Sequence, residues 1–331
     1  MQHRTIAIVA GGYSSEYEVS LRSAEGIHSF MPEHYHCYTA LITPEGWIAL
    51  YDGQSYSIDR NDFGFVTHDG TRIVPDFAYI TIHGTPGEDG TLQGYFDLIG
   101  LPYNTGGVLV EALTFNKFVL NNFLRSFGYT ISDSIRVVQG QPRPTDHDIV
   151  RRLGLPCFVK PNAGGSSFGV TKVKHKSELA TAINTALKES SEVMIEALMT
   201  GTEITCGCYH SATQGMVVFP ITEVVTTQEF FDYDAKYNGK VEEITPARIA
   251  TTTTERVQAL TAEIYRLIGA RGIIRIDYML SGPSGEEHIY LIEVNTTPGM
   301  TKTSFIPQQV RAAGIDIREV MADIIESALA I

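Results

Sequence analysis

Two apolar runs near the end of the chain carry side chains that an apolar strand has no use for. Arg275 and Asp277 lie inside Ile273–Leu280, and Glu293 and Asn295 close the run that begins at His288. The Gly/Pro/Ser cluster between the runs signals an antiparallel hairpin. Side chains alternate along a strand, so Arg275 and Asp277 share one face, and so do Glu293 and Asn295. A turn centred near Gly285 sets Asp277 opposite Glu293 and Arg275 opposite Asn295. Hard cations such as Mg²⁺ are held by one or two carboxylates together with substrate phosphates, and strands place such ligands rigidly. The bland alternative is a solvent-facing strand with a salt bridge. The hairpin by itself leaves both open.

Phosphate chemistry has its own candidates. Lys160 leads into PNAGGSSFG, whose backbone N–H groups and serine hydroxyls suit a loop that closes over phosphates. This loop joins strand to strand and lacks the Gly-Lys-Ser/Thr ending and following helix of a Walker A loop. A plain flexible hairpin is the alternative. Lys117 falls in the first turn of a helix, where the helix dipole disfavours a cation, which suggests a second duty. A snorkelling surface lysine would look the same. The stretch HGTPGEDG, from His83 to Gly90, sits at the carboxyl end of a strand, where open α/β sheets place ligands.

These residues need elements to hold them. Thr5–Ala10 reads as a buried strand, then Gly11-Gly12, then a helix capped by Ser14 or Ser15 with Glu16 and Glu18 in its first turn. The full G-x-G-x-x-G fingerprint is absent, so a tight βα turn explains these glycines better than a dinucleotide site. Strands follow at Tyr35–Ile42 and Phe77–Ile82, with short polar hairpins between and a helix at Thr91–Ile99. Thr114 is placed to cap a helix that stops at Gly128. Further strands are expected at Leu155–Lys160, Val170–Val173, Val193–Glu196, Ile204–His210 and Val217–Val225, with a helix opened by Ser177. A long aromatic and charged segment then runs through Phe230, Phe231, Tyr233, Lys236 and Tyr237. It has no clear periodicity and reads as a lid. Thr254 opens a helix closed by Gly269, and a last helix spans Asp316–Ala330.

A chain of 331 residues is long for one core, and 43% apolar with 19% charged residues describes an ordinary globular protein. No apolar run approaches the ~20 residues of a membrane span, and the first residues read as a strand rather than a signal peptide. A net charge of −13 argues against a nucleic-acid partner. The cysteines Cys37, Cys157, Cys206 and Cys208 have no framework or metal spacing. A reducing cytoplasm is the expected setting.

Taken as a set, the motifs become specific. GGYSSEYEVSL, HGTPGEDGTLQGYFDLIGLPYNTGG, FVKPNAGGSSFGV, FFDYDAKY and RIDYML…LIEVNTTPGMTKTS follow in order over nearly the whole chain. Together they resemble the D-alanine–D-alanine ligase family of the ATP-grasp superfamily, where any single motif is only a hypothesis. The resemblance implies an α/β and α+β fold: an N-terminal parallel α/β domain over residues 1–106, then two α+β domains, 107–196 and 197–331, clasping ATP. It implies that Lys117 and Lys160 contact the ATP phosphates, under a loop that includes Gly165, Ser166 and Ser167. Glu196, Ala197, Leu198, Met199 and Glu203 would hold adenine and ribose, with Phe230 and Lys236 approaching from the lid. Asp277, Glu293 and Asn295 would bind two Mg²⁺ (or Mn²⁺) ions.

For the amino-acid substrates, Glu16 would take the ammonium of the first D-alanine, with His83 nearby. Arg275 and the Gly299 backbone would stabilise the oxyanion, so that Arg275 is read as an oxyanion clamp rather than as Asp277's structural partner. Ser304, Lys236 and the neighbouring Phe305 would receive the second D-alanine, and Ser166 and Tyr237 would form a triad with Glu16. A homodimer and a monovalent-cation activator come with the resemblance, as does use in peptidoglycan precursor synthesis. Three departures stand out: Asn116 where the family usually has Asp, Asn104-Thr105-Gly106-Gly107 for a Thr-Gly-Ser run, and Phe305 for an aliphatic residue. Phe305 keeps a sister ligase for D-serine or D-lactate in play, while the retained Tyr237 favours an amine acceptor.

Overall fold

The computed structural model describes residues 4–165, 168–226 and 241–330. Ser166, Ser167, Phe230, Lys236 and Tyr237 lie outside the described residues, so their expected roles return only as proposals.

The first sheet is built on β1 (Arg4–Gly11), where Ile6, Ile8 and Ala10 alternate with Ala7 and Val9 and all are fully buried. Burial on both faces is what a parallel strand demands. β1 pairs in parallel with β2 (Tyr35–Thr43) on one side and with β7 (Phe77–Ile80) on the other. An antiparallel ribbon, β3 (Gly46–Tyr51) and β4 (Gln54–Ser57), extends it in the order β4-β3-β2-β1-β7, beside a small hairpin of β5 (Phe65–Val66) and β6 (Arg72–Ile73). Helix α1 (Tyr17–Phe30) covers one face with Ala24 and Ile27, and α2 (Thr91–Ile99) covers the other with Leu92 and Phe96. Glu16, not a serine, is the N-cap of α1; Ser14 Oγ instead accepts the Glu16 N–H and donates to the His83 carbonyl.

Two helices follow where one was expected. Thr114 ends up inside α3 (Val108–Phe115), and Asn116 caps α4 (Lys117–Ser126) by accepting the Val119 N–H at 3.0 Å. The amide oxygen does the capping that an aspartate would. Two elements carry no strong sequence signal: β8 (Ser134–Val138), and α5 (Asp146–Leu153), capped by Thr145. The second sheet has the order β10-β9-β11-β8, from β9 (Cys157–Pro161), β10 (Thr171–Val173) and β11 (Glu192–Ala197). It packs on α6 (Leu179–Ala186), entered through a 3₁₀ turn with His175, not Ser177, at its cap.

The third sheet runs β15-β14-β12-β16-β17, with β13 also on β12. Its strands are β12 (Thr202–Ser211), β13 (Gly215–Val218), β14 (Thr222–Thr226), β15 (Val241–Ile244), β16 (Ile274–Ser281) and β17 (His288–Asn295). The expected single strand Val217–Val225 is two, split around Pro220, which has no N–H for a ladder. Ile204, Cys206 and Cys208 alternate with Glu203, Thr205 and Gly207 along β12, and the first set packs with Ile274, Ile276 and Tyr278 against α7 (Thr251–Ile268). Helices α3 and α4 lend Val110, Leu120 and Leu124 to the same core. The other face is left to the polar set. After it come α8 (Phe305–Ala312) and α9 (Ile317–Leu329), the latter capped by Asp316. Among the described residues, no helix is long and apolar enough to cross a membrane.

Candidate active site

The β16–β17 hairpin has the register read from its sequence: Arg275 opposite Asn295 and Asp277 opposite Glu293, with a bulge just beyond Asp277. Asp277 is buried, and its carboxylate is saturated with donors. Oδ1 accepts from Thr205 Oγ1 (2.6 Å) and Arg275 Nε (2.8 Å); Oδ2 accepts from Arg275 Nη2 (2.8 Å) and Asn295 Nδ2 (3.2 Å). The structure therefore does make Arg275 the forked partner of Asp277. That fork uses two of five guanidinium N–H groups and leaves the rest for another acceptor. Burial alone would lower the Arg275 pKa, but the Asp277 charge outweighs it and the guanidinium is held above its ordinary value. The Phe305 ring lies under it, 5.2 Å from Cζ to centroid.

Lys117, the first residue of α4, reaches this patch. Its Nζ donates to the Gly164 carbonyl and lies 3.9 Å from Glu293 Oε2. Asn162 sets it there: its carbonyl accepts the Lys117 N–H and its Oδ1 accepts the Phe118 N–H at 2.8 Å. Burial lowers the Lys117 pKa; Glu293 opposes and Lys160 adds to the shift. A buried ammonium depressed further by a second cation is suited to an anion beside it. Lys160 is buried on β9 and donates to Glu196 Oε2 at 2.7 Å. Glu196 Oε1 is buried with no hydrogen-bond partner among the described residues. Ala197, Leu198 and Met199 follow, partly buried, and Glu203 stands on the polar face of β12 opposite Met279.

The first sheet contributes the third side. Glu16 and His83 are both buried, and Ser23 Oγ lies 3.0 Å from His83 Nε2. Burial lowers the His83 pKa, with Glu16 opposing and Arg275 reinforcing, so the ring is a neutral imidazole. The glycine-rich loop meets Glu16 directly. A Cβ at Gly165 would sit 2.7 Å from Glu16 Oε2, so only glycine allows that approach. Glu88 was overlooked within the HGTPGEDG loop. Its Oε2 accepts the Gly84 N–H at 2.6 Å, and enclosure, then the Glu16 charge, hold it well above the usual carboxyl range. Glu111, Thr205 and Asn162 were also missed. A lone polar residue in an apolar stretch shows its partner only once the fold is known.

The turn after the hairpin carries Gly299 to Ser304, the N-cap of α8. Ser304 Oγ makes no cap bond; it takes the Thr301 N–H (3.1 Å) and lies 2.8 Å from Thr301 Oγ1. Family models described as D-ala D-ala ligase N-terminus and D-ala D-ala ligase C-terminus match residues 5–106 and 123–326. The chain belongs to the D-alanine–D-alanine ligase family.

As a family member it is an ATP-dependent ligase with the ATP-grasp fold. It is 59% identical over 326 residues to a D-alanine–D-alanine ligase of Bacteroides fragilis, covering 98% of this chain and 99% of that one. It is 53% identical to one of Porphyromonas gingivalis, with 99% of each covered. Among solved structures, the D-alanyl-alanine synthetase A of Vibrio cholerae superposes with a TM-score of 0.87 at 27% identity and full coverage of both chains. The VanG D-Ala:D-Ser ligase of Enterococcus faecalis gives 0.83 at 29%, covering 98% of this chain and 99% of that one. A Bacillus anthracis D-alanine–D-alanine ligase complexed with ATP gives 0.77 at 27%, covering 99% and 98%. The similarity to a D-Ala:D-Ser ligase shows that this ligase fold is shared across second substrates.

Proposed function

We propose that this ligase uses ATP to join two D-alanines through an acyl phosphate, supplying D-alanyl-D-alanine for peptidoglycan precursors. The observation that carries the reading is Lys117: one ammonium touches both the glycine-rich loop and Glu293, so phosphate cradle and acidic hairpin form one site. Glu16, beside neutral His83, is suited to the ammonium of the first D-alanine. Lys117 and Lys160 offset charge on the transferring phosphoryl group, and Glu196 Oε1 is an acceptor for the adenine amine. The guanidinium N–H groups that Asp277 leaves over, with the Gly299 N–H, stabilise the oxygen that gains charge when the second amine attacks.

Asp277 and Glu293 carry hard oxygen donors, and Asn295 has an amide oxygen besides the NH₂ group that bonds Asp277, so the set fits Mg²⁺ with the ion taking the place of one of the four hydrogen bonds on Asp277. Mg²⁺ bound there would neutralise phosphate charge. The start of α8 at Ser304 receives the second D-alanine's carboxylate, as helix N-termini receive anions. On the sequence resemblance alone, Ser166 and Tyr237 would form a triad with Glu16, Ser167 would belong to the loop over the phosphates, Phe230 and Lys236 would approach the nucleotide, and Lys236 would also meet the carboxylate. Closure of the lid excludes water that would hydrolyse the acyl phosphate.

We keep the division 1–106, 107–196 and 197–331, which the three sheets support, with α3 and α4 sharing the third core. A cytoplasmic homodimer with a monovalent-cation activator completes the proposal. The identities above 50% to D-alanine–D-alanine ligases do not favour the D-serine or D-lactate alternative. The test is a competition assay with ATP, Mg²⁺ and D-alanine, D-serine and D-lactate. D-alanyl-D-alanine is expected as the dominant product with release of phosphate; depsipeptide made in excess D-alanine, or equal turnover of L-alanine, would sink the reading.

A further inference from the structure

The third sheet has a hole in its ladder, and one side chain fills it. Between the end of β13 at Val218 and the start of β14 at Thr222, β12 has no full neighbour on that side. The Gly207 N–H and the Thr205 carbonyl are left facing the gap. Gln309, fully buried on α8, takes the place of a strand. Its Oε1 accepts the Gly207 N–H at 2.9 Å, and its Nε2 donates to the Thr205 carbonyl at 3.0 Å and to Thr222 Oγ1 at 3.1 Å. Every hydrogen-bonding capacity of the carboxamide but one is used. Gly207 makes room for it: a Cβ there would stand 2.7 Å from Gln309 Oε1 and 2.3 Å from Ile306 Cδ1.

The two backbone positions that Gln309 grips are not arbitrary. Thr205 pairs across the ladder with Asp277, and Gly207 pairs with Arg275. Thr205 also donates its hydroxyl to Asp277. One helical turn before Gln309, on the same helix face, Phe305 lies against the Arg275 guanidinium. The first two turns of α8 are thus fastened, at Phe305 and at Gln309, to the strand pair that carries Arg275 and Asp277.

We infer that Gln309 is a positioning residue for the second-substrate subsite, fixing the α8 N-terminus against the Arg275–Asp277 strand pair through the β12 backbone. This rests on the reading that the second substrate's carboxylate docks at the start of α8. Gln309 touches no substrate. It sets the distance between the place where the second amine is held and the guanidinium that stabilises its attack. A displacement of about one ångström between reacting groups can cost on the order of a hundredfold in rate.

The test uses the full-length protein and three variants. Gln309→Met keeps the volume and removes all three hydrogen bonds; Gln309→Glu keeps an acceptor for Gly207 and guards against a Met variant that does not fold. Ser304→Ala reports on docking at α8. Initial rates against D-alanine separate the two amino-acid sites, and phosphate released per dipeptide formed reports uncoupling. Gln309→Met is expected to raise the second-site KM by about tenfold or more, and to raise the phosphate-to-dipeptide ratio above that of the parent. The KM values for ATP and for the first D-alanine stay within about twofold, as remote groups that orient one substrate act on that substrate. Gln309→Glu is expected to fall between Met and parent. A lower melting temperature with unchanged second-site KM and coupling would make Gln309 merely structural and overturn the inference, as would equal rises in all three KM values. If Ser304→Ala raises the second-site KM and Gln309→Met does not, the inference fails while docking at α8 stands. If neither raises it, both fall.

Discussion

Glu111 shows what a single buried acid does to this molecule. It is fully buried in α3, its Oε2 accepts from Thr296 Oγ1, and its Oε1 meets no partner in hydrogen-bonding geometry among the described residues. Burial raises its pKa to about 8 from 4.5, against the lowering effect of Thr296. The folded protein therefore holds a proton there that the unfolded chain releases near pH 4.5. By linkage, the contribution to stability is complete below about pH 4.5 and is lost as pH rises towards about 8. With about 1.4 kcal/mol per pKa unit, the loss is a few kcal/mol. Glu111→Gln removes the titrating proton and keeps the shape. Urea unfolding at pH 5 and at pH 8.5 should find the variant gaining on the parent at the higher pH; an unchanging difference would show that Glu111 is not protonated in the fold.

At the scale of elements, the hairpin is where chemistry and secondary structure coincide. Glu293 is about a quarter exposed at its side chain and carries little of the core, yet it links Lys117 to the Asp277 patch. Glu293→Ala should leave the melting temperature near that of the parent. Even outer partners of a bound metal cost 10–100-fold when removed, so a ligand should cost about a hundredfold in phosphate release. Near-normal turnover would contradict the metal assignment. This hairpin could be read in advance because its register follows from alternation and one Gly/Pro/Ser turn. The same logic located β1, β9, β12, the Gly269 end of α7 and both ends of α9, but α7 begins at Thr251 behind Ala250, so Thr254 lies inside it rather than capping it. It failed where tertiary contacts decide. Pro220 splits a run of strand formers, β8 and α5 have short and mixed patterns, and the sequence put Thr114 where Asn116 caps. Within the site, lysines and carboxylates in motifs were legible. Gln309 and Asn162 were not, because a polar side chain that bonds backbone far away in sequence leaves no periodic trace; Glu88 bonds backbone only four residues back, and its enclosure beside Glu16 exists only in the fold.

Across the whole molecule, the end of the chain completes the beginning. α9 lays Val320, Met321, Ile324 and Ile325 against the face of the first sheet that shows Ile6, Ile8 and Phe77, and the Tyr79 hydroxyl contacts Met321 Sδ at 3.7 Å. The first-substrate residues Glu16 and His83 sit beside that sheet and α1, so their placement depends on a helix at the other end of the described chain. Trp47, the one tryptophan, reports on this unit: it packs edge-on against Phe63 and Tyr95 in the core of the opposite sheet face. Met321→Ala should remove a fully buried side chain and cost about 2–5 kcal/mol. Urea unfolding followed by Trp47 fluorescence should move to a lower midpoint by that amount, together with the transition followed by circular dichroism. A Trp47 transition that keeps its midpoint while the circular-dichroism transition shifts would mean that the first sheet folds without α9, and that the two ends of the chain hold the site independently.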